Sequence, residues 1–341
     1  MPFMNVFRGT EQRILGVSLF CFLLNSPAGV PALAGSFAFV TNQSSSDLSV
    51  LDLEGRREIR RIPVAGQPAG IAVSSPLNAF YTVSPDSKTV RRFSLATCKV
   101  LAETRLPGGP VGVAVAPRSG LVFVSDWYNA RIFVLDAENL ATTGELETGG
   151  APAGLIVAGD GSWLASADRD SNQVSIFDLP AMTLRARVTV GERPFGIAVD
   201  PQGRIHAANV GSNSVTIIDP RSATVTATVP VGDRPYGVAF AGGHAFTTDQ
   251  YADTVSVYRL SDFEREGTLE VGEAPEGIDA TPNGKLIVST NWFSNTVSLI
   301  DPETVEVVGE IETGDGPRAV GRFIHELPGG NVPCQETQRI E

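Results

Sequence analysis

The side chains able to do bond chemistry are few, and their spacing limits them further. The chain has three histidines, His206, His244 and His325, and three cysteines, Cys21, Cys98 and Cys334. None falls in an H-x-x-x-H, C-x-x-C-H or H-E-x-x-H arrangement, which excludes zincin motifs and covalent attachment of haem c. No G-x-S-x-G elbow offers a nucleophile. Carboxylates recur instead. Asp126, Asp168 and Asp249 occupy one place in a repeating pattern, alongside Asn42, Ser84, Asn209 and Asn291. A ring of acids suits a cation, but an Asx side chain ending a strand also caps the following turn by accepting backbone N–H bonds. Repetition favours capping, because a repeated position follows first from repeated architecture. His206 sits inside an apolar run and reads as a packing residue. No catalytic group, metal site or cofactor is assigned.

What places these residues is a unit repeated seven times. Pro-x-Gly recurs at Pro68, Pro110, Pro152, Pro194, Pro235 and Pro275, and a seventh copy at Pro317 has Ala319 in place of Gly. The spacings are 42, 42, 42, 41, 40 and 42. From each Asn, Asp or Ser marker to the next such Pro is 26 residues in all seven units, so every change of length falls between Pro and the following marker. Each unit reads as four short strands, A to D. In residues 194–231, A ends at the turn Pro201-Gln202-Gly203, B ends at the marker Asn209, C alternates apolar and polar, and D is rich in Thr and Val. Four antiparallel strands in about 42 residues make a blade of a β-propeller. The pattern predicts an all-β, seven-bladed ring over residues 35–326. The first strand after residue 34 is a B strand and the last, Arg318 to Phe323, is an A strand. The two should share one blade in a 3+1 closure, which leaves no open edge.

Gly 35 and Pro 23 fit such a chain of short strands and turns. Lys plus Arg is 26 and Asp plus Glu is 38, a net charge of −12, which disfavours nucleic acid and anionic lipid. Residues 1–34 carry Arg8 and Arg13, an apolar run Ile14 to Leu24, and Ala32-Leu33-Ala34. This is the pattern of a secretory signal, with cleavage expected between Ala34 and Gly35 and a periplasmic or secreted product. Two cysteines then remain, and Cys98 and Cys334 are expected to pair across the ring seam, with the tail 327–341 extended or partly ordered.

Phe39-Val40-Thr41-Asn42, Val231-Gly232-Asp233-Arg234-Pro235-Tyr236-Gly237-Val238-Ala239 and Ser294-Asn295-Thr296-Val297-Ser298-Leu299-Ile300-Asp301 resemble the YVTN-repeat β-propellers. The resemblance covers roughly residues 36–325. It implies a seven-bladed fold and company that includes secreted surface proteins, proteins associated with quinone-dependent dehydrogenases, lactonase relatives and the d1-haem domain of nitrite reductase. The second unit departs from the pattern at Ser84-Pro85, where a distorted B–C loop is expected.

Strand order puts the D–A and B–C connections on one face of the ring and the A–B and C–D turns on the other. On the first face, the residue between Pro and Gly should border the channel: Ala69, Val111, Ala153, Phe195, Tyr236, Glu276 and Arg318. The B–C tips add Trp127, Tyr128, Tyr251, Trp292 and Phe293, with Arg169 and Asp170. Aromatics beside arginine on loops held by a rigid scaffold compose binding surfaces. The expectation is a binding or scaffold module for a protein partner or small ligand, centred on Tyr236, Glu276, Arg318 and Trp292. The alternatives are a lactonase- or lyase-type enzyme, and an accessory protein whose acidic surface meets a basic redox protein.

Overall fold

Strands of three to eight residues follow from the short alternating runs, and their burial shows where each lies. In the unit at 194–231, Ile205–Asn209 is buried throughout, Ser214–Asp219 nearly so, and Thr224–Pro230 is mostly exposed. Strand D is therefore the rim and strand A, here Pro194–Val199, the inner wall. The computed structural model describes residues 35–179, 181–327 and 331–335. The expected leader and most of its cleavage site lie outside them, with Gly35 the first residue of the first strand.

Seven sheets form, each with four antiparallel strands in the order A-B-C-D, and the sheet of blade 2 gains a fifth, parallel strand at its inner edge, which gives the seven-bladed propeller. Blade 1 joins Ile324–Leu327 to Gly35–Asn42, Asp47–Asp52 and Arg57–Pro63. Blades 2 to 7 then follow in chain order, with A strands that begin at or just after each Pro-x-Gly.

The repeated glycine has a steric cause. A Cβ on Gly196 would lie 2.0 Å from the carbonyl oxygen of Tyr236 in the next blade, and one on Gly112 would lie 2.1 Å from that of Ala153. Neighbouring A strands thus approach closely at this residue, and four of the seven pairs are tied by a hydroxyl one place before the marker. Gly112 N donates to Ser125 Oγ (2.8 Å), which donates to Ala153 O (2.8 Å). Thr248 and Thr290 repeat the relay, and Thr41 repeats it at the seam.

The closing strand differs from its expected form. Pro317 bridges Asn42, and Arg318 N donates to Thr41 O (2.8 Å). Ala319 then turns with φ +42°, and Val320–Arg322 leaves blade 1 to run parallel to Gly70–Ala72 of blade 2. Pairing with blade 1 resumes at Phe323, whose carbonyl accepts Phe39 N (2.9 Å), and continues in register from Ile324. The paired A strand is therefore Ile324–Leu327 rather than Arg318–Phe323. The cause is that Gly321, not Ala319, meets the neighbouring wall: at φ +128° its missing Cβ clears Ile71 O. The seam is packed by Phe39, Phe80 and Phe93, with ring centroids 4.9 and 4.7 Å apart in succession. It is also covalent. Cys98, in the C–D turn of blade 2, is bonded to Cys334, with Cα atoms 4.7 Å apart. Cys334 N and Gln335 N donate to Leu95 O and Ala96 O beside it.

The B–C loop of blade 2 is not distorted. The fourth residue after the marker has positive φ in every blade, and Lys88 (φ 57°) matches Asn172 (52°) and Asn213 (50°). Proline at 85 fits the second position of such a turn, because its fixed φ is one the turn uses.

Candidate functional site

The marker side chains act as staples, and Asp126 also caps its turn by accepting Tyr128 N. Each bonds residues five or seven places on, at the start of strand C. Asn209 Nδ2 donates to Ser214 Oγ and Thr216 Oγ1, and Asp249 Oδ2 accepts from Thr254 and Ser256. The aspartates also accept a backbone N–H from the preceding D–A loop, Gly109, Gly149 or Gly232. Burial pushes Asp168 and Asp249 above the usual carboxylate range against these bonds. For Asp126, the bonds from Gly109 N, Asn129, Arg131 and Tyr128 N outweigh burial and hold it below.

These staples fix the B–C and D–A connections around the channel, and the residues beside them converge on one cavity of about 430 Å³. Its wall takes Ala69, Val111, Phe195, Tyr236 and Arg318 from the residue after each Pro. From the residue after each marker it takes Gln43, Pro85, Trp127, Arg169, Val210 and Gln250. The cavity exists because the ring is lopsided. Blades 2 and 3 supply Ala69 and Val111 where blades 5 and 6 supply Phe195 and Tyr236, whose rings lie 4.4 Å apart. Trp127 extends this aromatic wall, 6.1 Å from Phe195.

Glu276 and Arg318 form the floor. Arg318 Nε lies 2.6 Å from Glu276 Oε2, a charge contact without the alignment of a hydrogen bond. Gln250 Nε2 donates to Glu276 Oε1 (2.6 Å), while Arg318 donates to Gln43 Oε1 (2.8 Å) and Tyr236 Oη (3.3 Å). The carboxyl is 1% exposed, and burial pushes it up to about 7 although Arg318, and then Gln250, oppose the shift. Burial likewise raises the Tyr236 phenol. Burial works against the Arg318 cation, but Glu276 more than offsets it and holds the guanidinium above its usual range. Beyond this floor a second cavity of about 560 Å³ opens toward the A–B turns, lined by strand A backbone and by Glu276, Asp200 and Asp279.

The sequence-predicted residues divide. Phe195, Tyr236, Arg318, Trp127, Tyr128 and Arg169 line the mouth together. Glu276 lies beneath it. Trp292 is half-buried behind Arg318, whose guanidinium carbon is 4.7 Å from its ring centroid, so it positions that cation. Tyr251 and Phe293 stand out on the rim, 60% and 73% exposed. Ala153 is fully buried. Sequence reasoning missed Gln43, Gln250 and Arg234. The first two share the column of Trp127, Arg169 and Trp292, which the 26-residue spacing makes readable. Arg234 lies in a D–A loop, 3.8 Å from the Tyr251 ring centroid.

The histidines lie elsewhere. His206 is fully buried between blades 5 and 6, with Nε2 3.0 Å from Asp200 Oδ2 and Nδ1 2.8 Å from Tyr258 Oη. His325 contacts Ser75 Oγ, and His244 contacts Glu266 on the other face.

Neither a family model nor a curated protein matches the sequence. Solved structures do. Hydrazine synthase of Kuenenia stuttgartiensis is similar with a TM-score of 0.68 at 16% identity, covering 78% of this chain and 97% of that one. A functionally unknown protein of Desulfotomaculum acetoxidans gives 0.70 at 14% identity, covering 84% and 99%. At these identities the likeness is one of fold. It bears out the propeller.

Proposed function

We propose that this protein is an exported binding module that holds a small ligand, or a short segment of a protein partner, at the mouth of its channel. One observation carries the reading. Two columns of the repeat, which architecture alone would leave uniform, diverge into aromatic and guanidinium groups around a single cavity. The supports are mobile in neither length nor turn type, so the site is preorganised, which lowers the ordering cost of binding. Export is supported by the Cys98–Cys334 disulfide, a bond that persists in oxidising compartments, and by the YVTN resemblance. N-terminal sequencing of the mature protein should begin at Gly35; an intact Met1 would count against export. The net charge of −12 suits a basic redox partner on the remaining surface.

Hydrogen exchange tests the site. Adding the small-molecule and protein fractions of the source cells should protect the B–C loops at 42–46, 126–130 and 249–253. Protection confined to the A–B turns would place the site on the wrong face. A second reading has its own observation. Glu276, at about 7, is poised as an acid–base group. If the protein is a lactonase- or lyase-type enzyme, turnover should follow that titration and vanish in Glu276→Gln.

A further inference from the structure

Three arginines reach the mouth cavity, and each has its guanidinium over an aromatic ring of a B–C loop. Arg169 lies over Trp127 at 5.4 Å, Arg234 over Tyr251 at 3.8 Å, and Arg318 over Trp292 at 4.7 Å, measured to ring centroids. They come from blade 4, the loop between blades 5 and 6, and the seam, so no single repeat produces the set. Acids answer them unevenly. Asp170 pairs with Arg169 but is 56% exposed and well hydrated. Glu276 meets Arg318 from below. Arg234 has its ring contact and makes no ion pair within 4.0 Å among the described residues. Around them the wall is apolar and partly flat: Ala69, Val111, Phe195, Tyr236, Val210 and Val320. In a chain of net charge −12, this mouth is a local concentration of fixed positive charge.

Stacking leaves a guanidinium's edges, with their N–H donors, free to address a carboxylate in a planar fork. Two such edges, on Arg169 and Arg234, beside an apolar wall match a flat body with acidic groups at its periphery, while Arg318, whose donors already face Gln43, Tyr236 and Glu276, adds its charge from below. A cavity of about 430 Å³ lies in the range of small-molecule sites. We infer that the mouth binds a planar aromatic anion carrying two or more carboxylates, its ring against Phe195 and Tyr236 and its carboxylates on Arg169 and Arg234, above the Arg318 cation. The inference rests on the mouth being the binding site and adds the chemical class of the ligand.

The test uses flat fragments of matched size and opposite charge. Benzene tricarboxylate and benzamidine are titrated calorimetrically against the disulfide-bonded protein, the double variant Arg169→Gln/Arg234→Gln, and Val111→Trp, which fills the mouth. The tricarboxylate should bind the native protein and weaken at least about tenfold in the arginine double variant, as expected for loss of two charge-assisted contacts. Raising the salt should weaken it too. It should not bind Val111→Trp, and benzamidine should not bind at all. Failure of the tricarboxylate to bind, or equal binding to the arginine variant, overturns the ligand class. If benzamidine binds and Val111→Trp abolishes it, the class is wrong while the mouth stands. If fragments bind and Val111→Trp changes nothing, the mouth itself is not the site, and the functional reading falls with it.

Discussion

Two buried carboxyls in the inner wall, Asp200 and Glu276, lie at opposite ends of the channel and are shifted in opposite directions from their ordinary values. Asp200, at the A–B turn of blade 5, accepts hydrogen bonds from Gln202 N, Arg204 N, Arg204 Nε and His206 Nε2. Burial alone would raise it, but the bonds from His206 and Arg204 outweigh that and hold it below the usual range. Glu276 has an arginine equally near, yet takes one aligned bond, from Gln250, and burial lifts it to about 7. Proximity of a cation does not decide the outcome; the number of aligned donors does. A carboxylate enclosed by donors is a structural joint. One with unmet capacity beside a cavity is available to a ligand.

Mutations at the two carboxyls test this contrast. The largest effect should come from Asp200→Ala, which strips His206 and Arg204 of their shared acceptor. A loss of about 3 kcal/mol or more in denaturant unfolding is expected, and a loss under about 1 would erase the distinction. Arg318→Ala should cost on the order of 2 kcal/mol near pH 8, where it strands a charged Glu276, and clearly less near pH 6, where that carboxyl takes up a proton. Adding Glu276→Gln should recover most of the loss.

The pH dependences of the two ends should oppose each other. The folded value for Glu276, about 7, lies above its ordinary 4.5, so the protonated form is the stabilised one. Stability of the native protein relative to Glu276→Gln should be greatest below 4.5 and fall as pH rises through 7, by on the order of 2 kcal/mol. His206 is depressed below 6.5, chiefly by burial against the pull of Asp200. Its contribution is complete above 6.5 and is lost on acidification. Unfolding midpoints of both proteins across this range separate the two; parallel curves would show that Glu276 does not titrate there. The smallest effect belongs to Arg169→Gln and Arg234→Gln, within about 0.5 kcal/mol each because these side chains lie at the surface. A large loss would make the rim arginines structural rather than ligand-facing.

Much of this was legible from residue spacing. A constant 26 residues from marker to Pro locates both mouth columns, and Pro-x-Gly locates the inner wall whose close approach the glycine permits. The ring seam was legible only in outline. Ala319 occupies the glycine position in the sequence, but the steric role passes to Gly321, a slip that only the neighbouring carbonyl of Ile71 reveals. The Asp200–His206 joint was hidden because it spans the A–B turn, the one segment of variable length. Arg234 was passed over because its importance lies in the ring of Tyr251 beneath it, a contact that sequence order does not display.

The disulfide also changes what the chain is as a mechanical object. Cys98 and Cys334 enclose a covalent loop that contains blades 3 to 7 entirely. Between Gly35 and Cys334, 299 residues apart, the reduced chain pulled taut reaches about 1000 Å at about 3.4 Å per residue. With the bond formed, only the 63 residues of that stretch from Gly35 to Cys98 can pay out, about 210 Å. Tension on the ends would peel off blade 1 and part of blade 2, then stop at the sulfur bond. The five blades inside the loop would never feel the load.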